Sequence, residues 1–120
     1  MEIYKYKDFD NIFYTGKFAD ELQTLIQDDR HYMRWLNKRL SILNEGAKQA
    51  TDGVKFEKLK NEQLWSIRHP HSQQNQRVIY YIIDEDNTVI LLSAFKEKNA
   101  SDYRKYVDLS NNRINEIKKG

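Results

Sequence analysis

Residues 64–98, LWSIRHPHSQQNQRVIYYIIDEDNTVILLSAFKEK, decide the fold. Three apolar runs stand in this stretch: Leu64, Trp65 and Ile67, then Val78 to Ile83, then Val89 to Phe95. A polar loop from His69 to Gln76 separates the first two and has an arginine at each mouth, Arg68 and Arg77. A tight acidic turn, Asp84 to Asn87, separates the second from the third. Short apolar runs bounded by turn formers read as consecutive antiparallel strands. Closing the loop pairs Arg68 with Arg77. Closing the turn pairs Ile83 with Thr88, and therefore Arg77 with Ala94. This register gathers Arg68, Arg77, Lys96 and Lys98 at one end of one sheet, beside His69 and His71. The run Val78 to Ile83 is apolar or aromatic on both parities, which predicts a central strand covered on both faces.

Working outward, Ser101 to Lys118 reads as a final helix. Its inner face carries Tyr103, Tyr106 or Val107, Ser110, Ile114 and Ile117, with Lys118 and Lys119 suited to its C-terminal dipole. On the other side, Val54 to Leu59 alternates as a short strand or its lead-in. Before it, Lys17 to Gln27 and Arg30 to Asn44 are amphipathic helices. The first buries Phe18, Leu22, Leu25 and Ile26, and the second Met33, Leu36, Leu40 and Leu43. Asp28 and Asp29 interrupt the two and cap the second, and Gly46 stops it. Trp35 lies off the apolar stripe and is expected to pack under the loops. Glu2 to Phe9 alternates as a first strand, and Asp8 to Gly16 reads as a connection. The element order predicts one α+β domain over residues 1–120. In it a helical hairpin packs on a twisted, mainly antiparallel sheet of about four to five strands, with a C-terminal helix.

Composition narrows the function without naming it. Hydrophobic residues make up 39% of the 120 and charged residues 32%, enough for one modest core. A net charge of +2 does not announce nucleic acid, but a local cationic cluster suffices to bind phosphate. The absence of cysteine excludes disulfides, thiolate metal sites and a cysteine nucleophile, and fits a reducing compartment. The N-terminus has no signal-peptide pattern, and no apolar run approaches the roughly 18 residues of a membrane helix. The expectation is a cytoplasmic protein without cofactor or metal. His69-Pro70-His71 invites a metal reading, but two histidines without a third ligand nearby are weak support for one.

The unit L-W-x-x-R, a short loop, R-V-I-Y-Y, then V-x-L-L-x-x-F-x-x-K and a charged helix resembles the RelE/HigB superfamily of type II toxin–antitoxin toxins. It is most similar to the phage-associated HigB-like branch. Leu64, Trp65, Arg68, Arg77, Val78, Tyr80, Leu91, Leu92, Phe95 and Lys98 carry the resemblance. Glu97 stands where that branch often has a second lysine, and Tyr103 occupies the region where it often has a proline. The resemblance implies an endoribonuclease that cuts messenger RNA on the ribosome and is neutralised by a cognate antitoxin, commonly of helix-turn-helix type. The same superfamily holds ParE-like gyrase inhibitors that cut no RNA, so activity does not follow from fold.

Metal-free RNA cleavage needs a base for the 2′-hydroxyl, an acid for the leaving 5′-oxygen, and cations for the phosphorane. Arg77 maps onto the family's strand arginine and is the candidate for stabilising the transition state. Arg68 would hold a phosphate or orient Arg77. Lys98 maps onto the family's lysine after the last strand. His69, His71 and Tyr103 are the candidates for proton transfer. Lys96, Arg104, Lys58 and Lys60 are further candidate RNA contacts. Each residue also has a plain structural reading. The arginines form a cross-strand pair beside a solvated loop, the histidines are ordinary loop residues, the lysines are solvated, and Tyr103 and Tyr106 belong to the core. A non-catalytic protein that only binds an antitoxin fits the same residues.

Overall fold

The strand Val78–Ile83 predicted as central does occupy the interior of a sheet, and the rest of the chain layers around it. A computed structural model describes residues 1–27, 29–50, 56–69, 75–83 and 85–119. Among these, the elements run β1 (Ile3–Lys5), β2 (Ile12–Thr15), α1 (Gly16–Ile26), α2 (Arg30–Gly46), β3 (Phe56–Lys58), β4 (Trp65–Arg68), β5 (Gln76–Ile83), β6 (Thr88–Lys96) and α3 (Ala100–Lys119). A 3₁₀ turn, Ala47–Gln49, follows α2. The described strands form one sheet of six in the order β1-β2-β6-β5-β4-β3. That exceeds the expected four to five, because Ile12–Thr15, expected within a connection, is a strand. Its three-residue pairing with Val89–Leu91 is parallel, while the other neighbours are antiparallel.

Both faces of the sheet are covered, as the doubly apolar β5 requires. On one face α1 and α2 bury Phe18, Leu22, Leu25, Tyr32, Leu36, Leu40 and Leu43 against Ile67, Val78, Tyr80, Ile82, Val89 and Leu91. On the other, α3 sets Val107 and Ile114 against Ile79, Ile90, Leu92 and Phe95. The helix starts are held by short polar side chains. Thr15 Oγ1 accepts from Phe18 N (3.1 Å), and Asp29 Oδ1 accepts from Tyr32 N (3.0 Å). At α3 the two halves of a capping box meet: Asp102 N donates to Asn99 Oδ1 (3.1 Å) and Asn99 N to Asp102 Oδ2 (3.2 Å). Trp35 is half-buried and packs against the loop residue His69, as expected.

The expected register holds at both ends of the hairpins and fails between them. Arg68 faces Arg77 and Ile83 faces Thr88, but Arg77 faces Phe95, not Ala94. The cause is a β-bulge: Ile79 faces Ser93 and Tyr80 faces Leu91, so Leu92 is an extra residue on β6. The slip inverts the parity of the strand end. It turns Phe95 toward α3, where its ring stacks on Tyr106 at 4.3 Å, and leaves Ala94 facing the helical hairpin.

Beyond Leu91, where β2 stops pairing with β6, the β6 edge is open, and an ion pair closes that gap. Arg113, on the inner face of α3, reaches Glu21 of α1. Its Nη1 and Nη2 donate to the two carboxylate oxygens at 2.9 and 2.7 Å. Nη1 also donates to Leu92 O (2.7 Å) and Ser93 Oγ (3.0 Å), and Glu21 Oε1 accepts from Ala94 N (3.2 Å). Ser93 Oγ lies 2.7 Å from Ser110 Oγ, completing a buried network. The strand edge thus finds its hydrogen-bond partners in side chains.

Candidate functional site

At the open end of the β4–β5 loop, the ladder continues past the strands. His69 N donates to Gln76 O (3.1 Å) and Glu97 N to Asn75 O (3.0 Å). Asn75 has φ of 49°, a left-handed conformation that Asn tolerates, and its Nδ2 donates back to Glu97 O at 2.7 Å. Glu97 is therefore gripped at both its N–H and its carbonyl. Its side chain points inward to Arg77, whose Nη2 donates to Oε2 at 3.0 Å. Arg68 Nη2 lies 3.8 Å from the same oxygen. Among the described residues, Glu97 Oε1 has no hydrogen-bond partner.

The two arginines differ in access. The Arg77 side chain is 3% exposed and Arg68 47%, with Glu97 between them at 16%. The Arg77 guanidinium lies 5.1 Å over the ring of Tyr103, in the first turn of α3. Its Nε is buried without a partner among the described residues. Burial pulls the Arg77 pKa down; Glu97 opposes that, Arg68 adds to it and Glu57 counters it. An arginine stays charged through such shifts, so the cluster carries two guanidinium charges and one carboxylate.

The structure brings together Arg68, Arg77 and Tyr103, and adds Glu97, which sequence reasoning noted only as a departure from a lysine. Lys96 and Lys98 are exposed and line a neighbouring cleft of about 560 Å³ between α1 and α3, with Lys105, Asp20 and Asp102. Neither makes an ion pair with a described residue. Lys58, Lys60 and Arg104 lie elsewhere, around the β3–β4 turn. Lys58 Nζ donates to Glu62 O, and Arg104 pairs with Glu62 and Asp108, each at 3.3 Å. Lys60 is exposed.

His69 falls on the opposite face of the sheet from Arg77. Side chains alternate along β4, so the residue after Arg68 points to the helical hairpin. There its ring meets Trp35 edge-on at 4.6 Å and Tyr32 at 5.5 Å. Its Nδ1 is buried without a partner among the described residues, and burial lowers its pKa while Asp29 partly opposes that. His71 lies outside the described residues. Arg113, which sequence reasoning missed, is buried in the network already described; its place on the α3 stripe, three residues after Ser110, was the available signal. Among the described residues, no cluster of His, Asp and Glu side chains is arranged to hold a metal ion, and no helix is long and apolar enough to cross a membrane.

The two covered faces, the strand order and the C-terminal helix define a RelE-like α+β fold. The solved structure of E. coli toxin RelE, a double arginine-to-alanine mutant in the free state, superposes with a TM-score of 0.56 at 19% identity. The match covers 81% of this chain and 93% of that one. No family model and no curated protein matches the sequence.

Proposed function

We propose that this chain is the toxin of a type II toxin–antitoxin module and cuts messenger RNA on the ribosome by attack of the 2′-hydroxyl on the adjacent phosphate. The observation that carries the reading is the cross-strand pair Arg68 and Arg77 beside Tyr103, at one end of a RelE-like sheet. Arg68 is the accessible member and meets the phosphate; Arg77 sits behind it and supplies charge to the pentavalent phosphorus. Lys96 and Lys98 take neighbouring phosphates along the cleft, and Lys58, Lys60 and Arg104 offer a second cationic strip. The toxin acts in the cytoplasm, and a cognate antitoxin of helix-turn-helix type silences it.

Induced expression without an antitoxin tests this reading. Growth and translation should stop, with new transcript ends inside coding regions. Arg77→Ala, checked for folding by circular dichroism, should restore growth. DNA damage and supercoiling defects with intact transcripts would move the protein to the ParE-like gyrase inhibitors. A second reading, a non-catalytic antitoxin-binding protein, draws on Glu97, which offsets part of the charge of both arginines. Harmless expression of folded protein at high level would favour it.

A further inference from the structure

The site holds cations for phosphate, but neither proton-transfer candidate among the described residues, His69 or Tyr103, is set to accept a proton there. His69 is on the other face of the sheet, and the Tyr103 ring lies under the Arg77 guanidinium. A neutral phenol is also a weaker proton acceptor than a carboxylate. Glu97 differs from both. It lies between the two arginines, partly open to solvent, and it is held by main-chain bonds that do not involve its carboxylate. Both guanidiniums meet Oε2, which leaves Oε1 without a partner among the described residues.

We infer that Glu97 is the general base of the proposed RNA cleavage, taking the 2′-hydroxyl proton on Oε1 while Arg77 holds Oε2. This rests on the ribonuclease reading above. As the O2′–P bond forms, the hydroxyl proton passes to Glu97. As the P–O5′ bond breaks, the leaving oxygen takes a proton from water. The hydroxide so formed is neutralised by the proton that Glu97 then releases. The carboxylate is restored, and the products are a 2′,3′-cyclic phosphate and a 5′-hydroxyl.

The Arg68 side of this cluster can yield to substrate. The Arg68 contact is loose at 3.8 Å, and Arg68 is the exposed arginine. A phosphate that recruits Arg68 removes one cation from the carboxylate and places an anion beside it. Arg77 stays at 3.0 Å and holds the geometry. Among the described residues, the charged groups that meet Glu97 are Arg77 from β5 and Arg68 from β4, while Tyr103 of α3 and Glu57 of β3 act on Arg77.

The test is the single-turnover cleavage rate on ribosomes carrying a defined messenger RNA, for wild type and Glu97→Gln, as a function of pH. Glutamine keeps the size of the side chain and an oxygen for Arg77. The variant should cut about 100-fold or more slowly, in the range a general base supplies. It should also lose the acid limb of the pH–rate profile while binding a 2′-deoxy messenger at least as tightly as wild type. A folded Glu97→Gln protein that cuts at the wild-type rate or faster overturns the inference and makes Glu97 a counter-ion. Should that variant not fold, Glu97→Asp decides: a slowed rate with the acid limb kept supports the base, and an unchanged, pH-independent rate overturns it. Wild type that leaves the messenger uncut overturns the ribonuclease reading itself, and this inference with it.

Discussion

Among the described residues, two arginines are buried against glutamates, and they are held differently. Arg113 uses both terminal nitrogens on both oxygens of Glu21 and adds Leu92 O and Ser93 Oγ. Among the described residues, the Arg77 side chain makes one hydrogen bond, to Glu97, and its Nε is buried without a partner. The first network lies across α1, β6 and α3 and closes a strand edge. The second lies at the mouth of a loop, with a half-exposed arginine beside it. A buried charge clamped through both terminal nitrogens onto both carboxylate oxygens belongs to the fold. A buried charge with bonding capacity left over is poised for something that arrives.

The largest effect expected from this contrast is on stability. Arg113→Ala leaves the Glu21 carboxylate partly buried without its cation and strips partners from Leu92 O and Ser93. It should cost about 3–5 kcal/mol in urea unfolding, the range seen when one partner of a buried pair is removed. Arg77→Ala should cost less, about 1–2 kcal/mol, because one hydrogen bond is lost and Arg68 still faces Glu97. Equal costs in the two variants would break the comparison, for then the Arg77 cluster would be as structural as the other.

The smallest effect belongs to His69, a neutral analogue of the under-bonded arginine. Burial holds its folded pKa below the ordinary 6.5, so the unfolded chain binds more protons between the two values. Its contribution to stability is full above the unfolded value and is lost as pH falls through the folded one. The urea midpoint should therefore be higher at about pH 7.5 than at about pH 5.5. His69→Gln should flatten that dependence, and an unaltered slope in the variant would assign it to other groups.

Much of this architecture was legible because it follows from local rules. The periodicity of α1, α2 and α3, the central place of β5 and the two end registers, Arg68 with Arg77 and Ile83 with Thr88, come from patterns a few residues long. Ile12–Thr15 was not legible as a strand. It is four residues long, and its parallel partner lies far along the chain. The bulge at Leu92 was equally hidden, since an apolar run reads the same with or without an extra residue. Yet that bulge decides that Phe95, not Ala94, stands opposite Arg77.

The candidate site divides in the same way. The sequence by itself made the meeting of Arg68 and Arg77 legible, because each arginine ends an apolar run at one mouth of the same polar loop. It also supplied Tyr103 at the start of the last helix. Only the tertiary structure decided which arginine faces solvent, that Glu97 turns inward between them, and that His69 faces the helical hairpin. Those outcomes depend on which sheet face each side chain takes and on which helix covers that face. Both are settled by packing between distant segments, and local patterns carry no record of it.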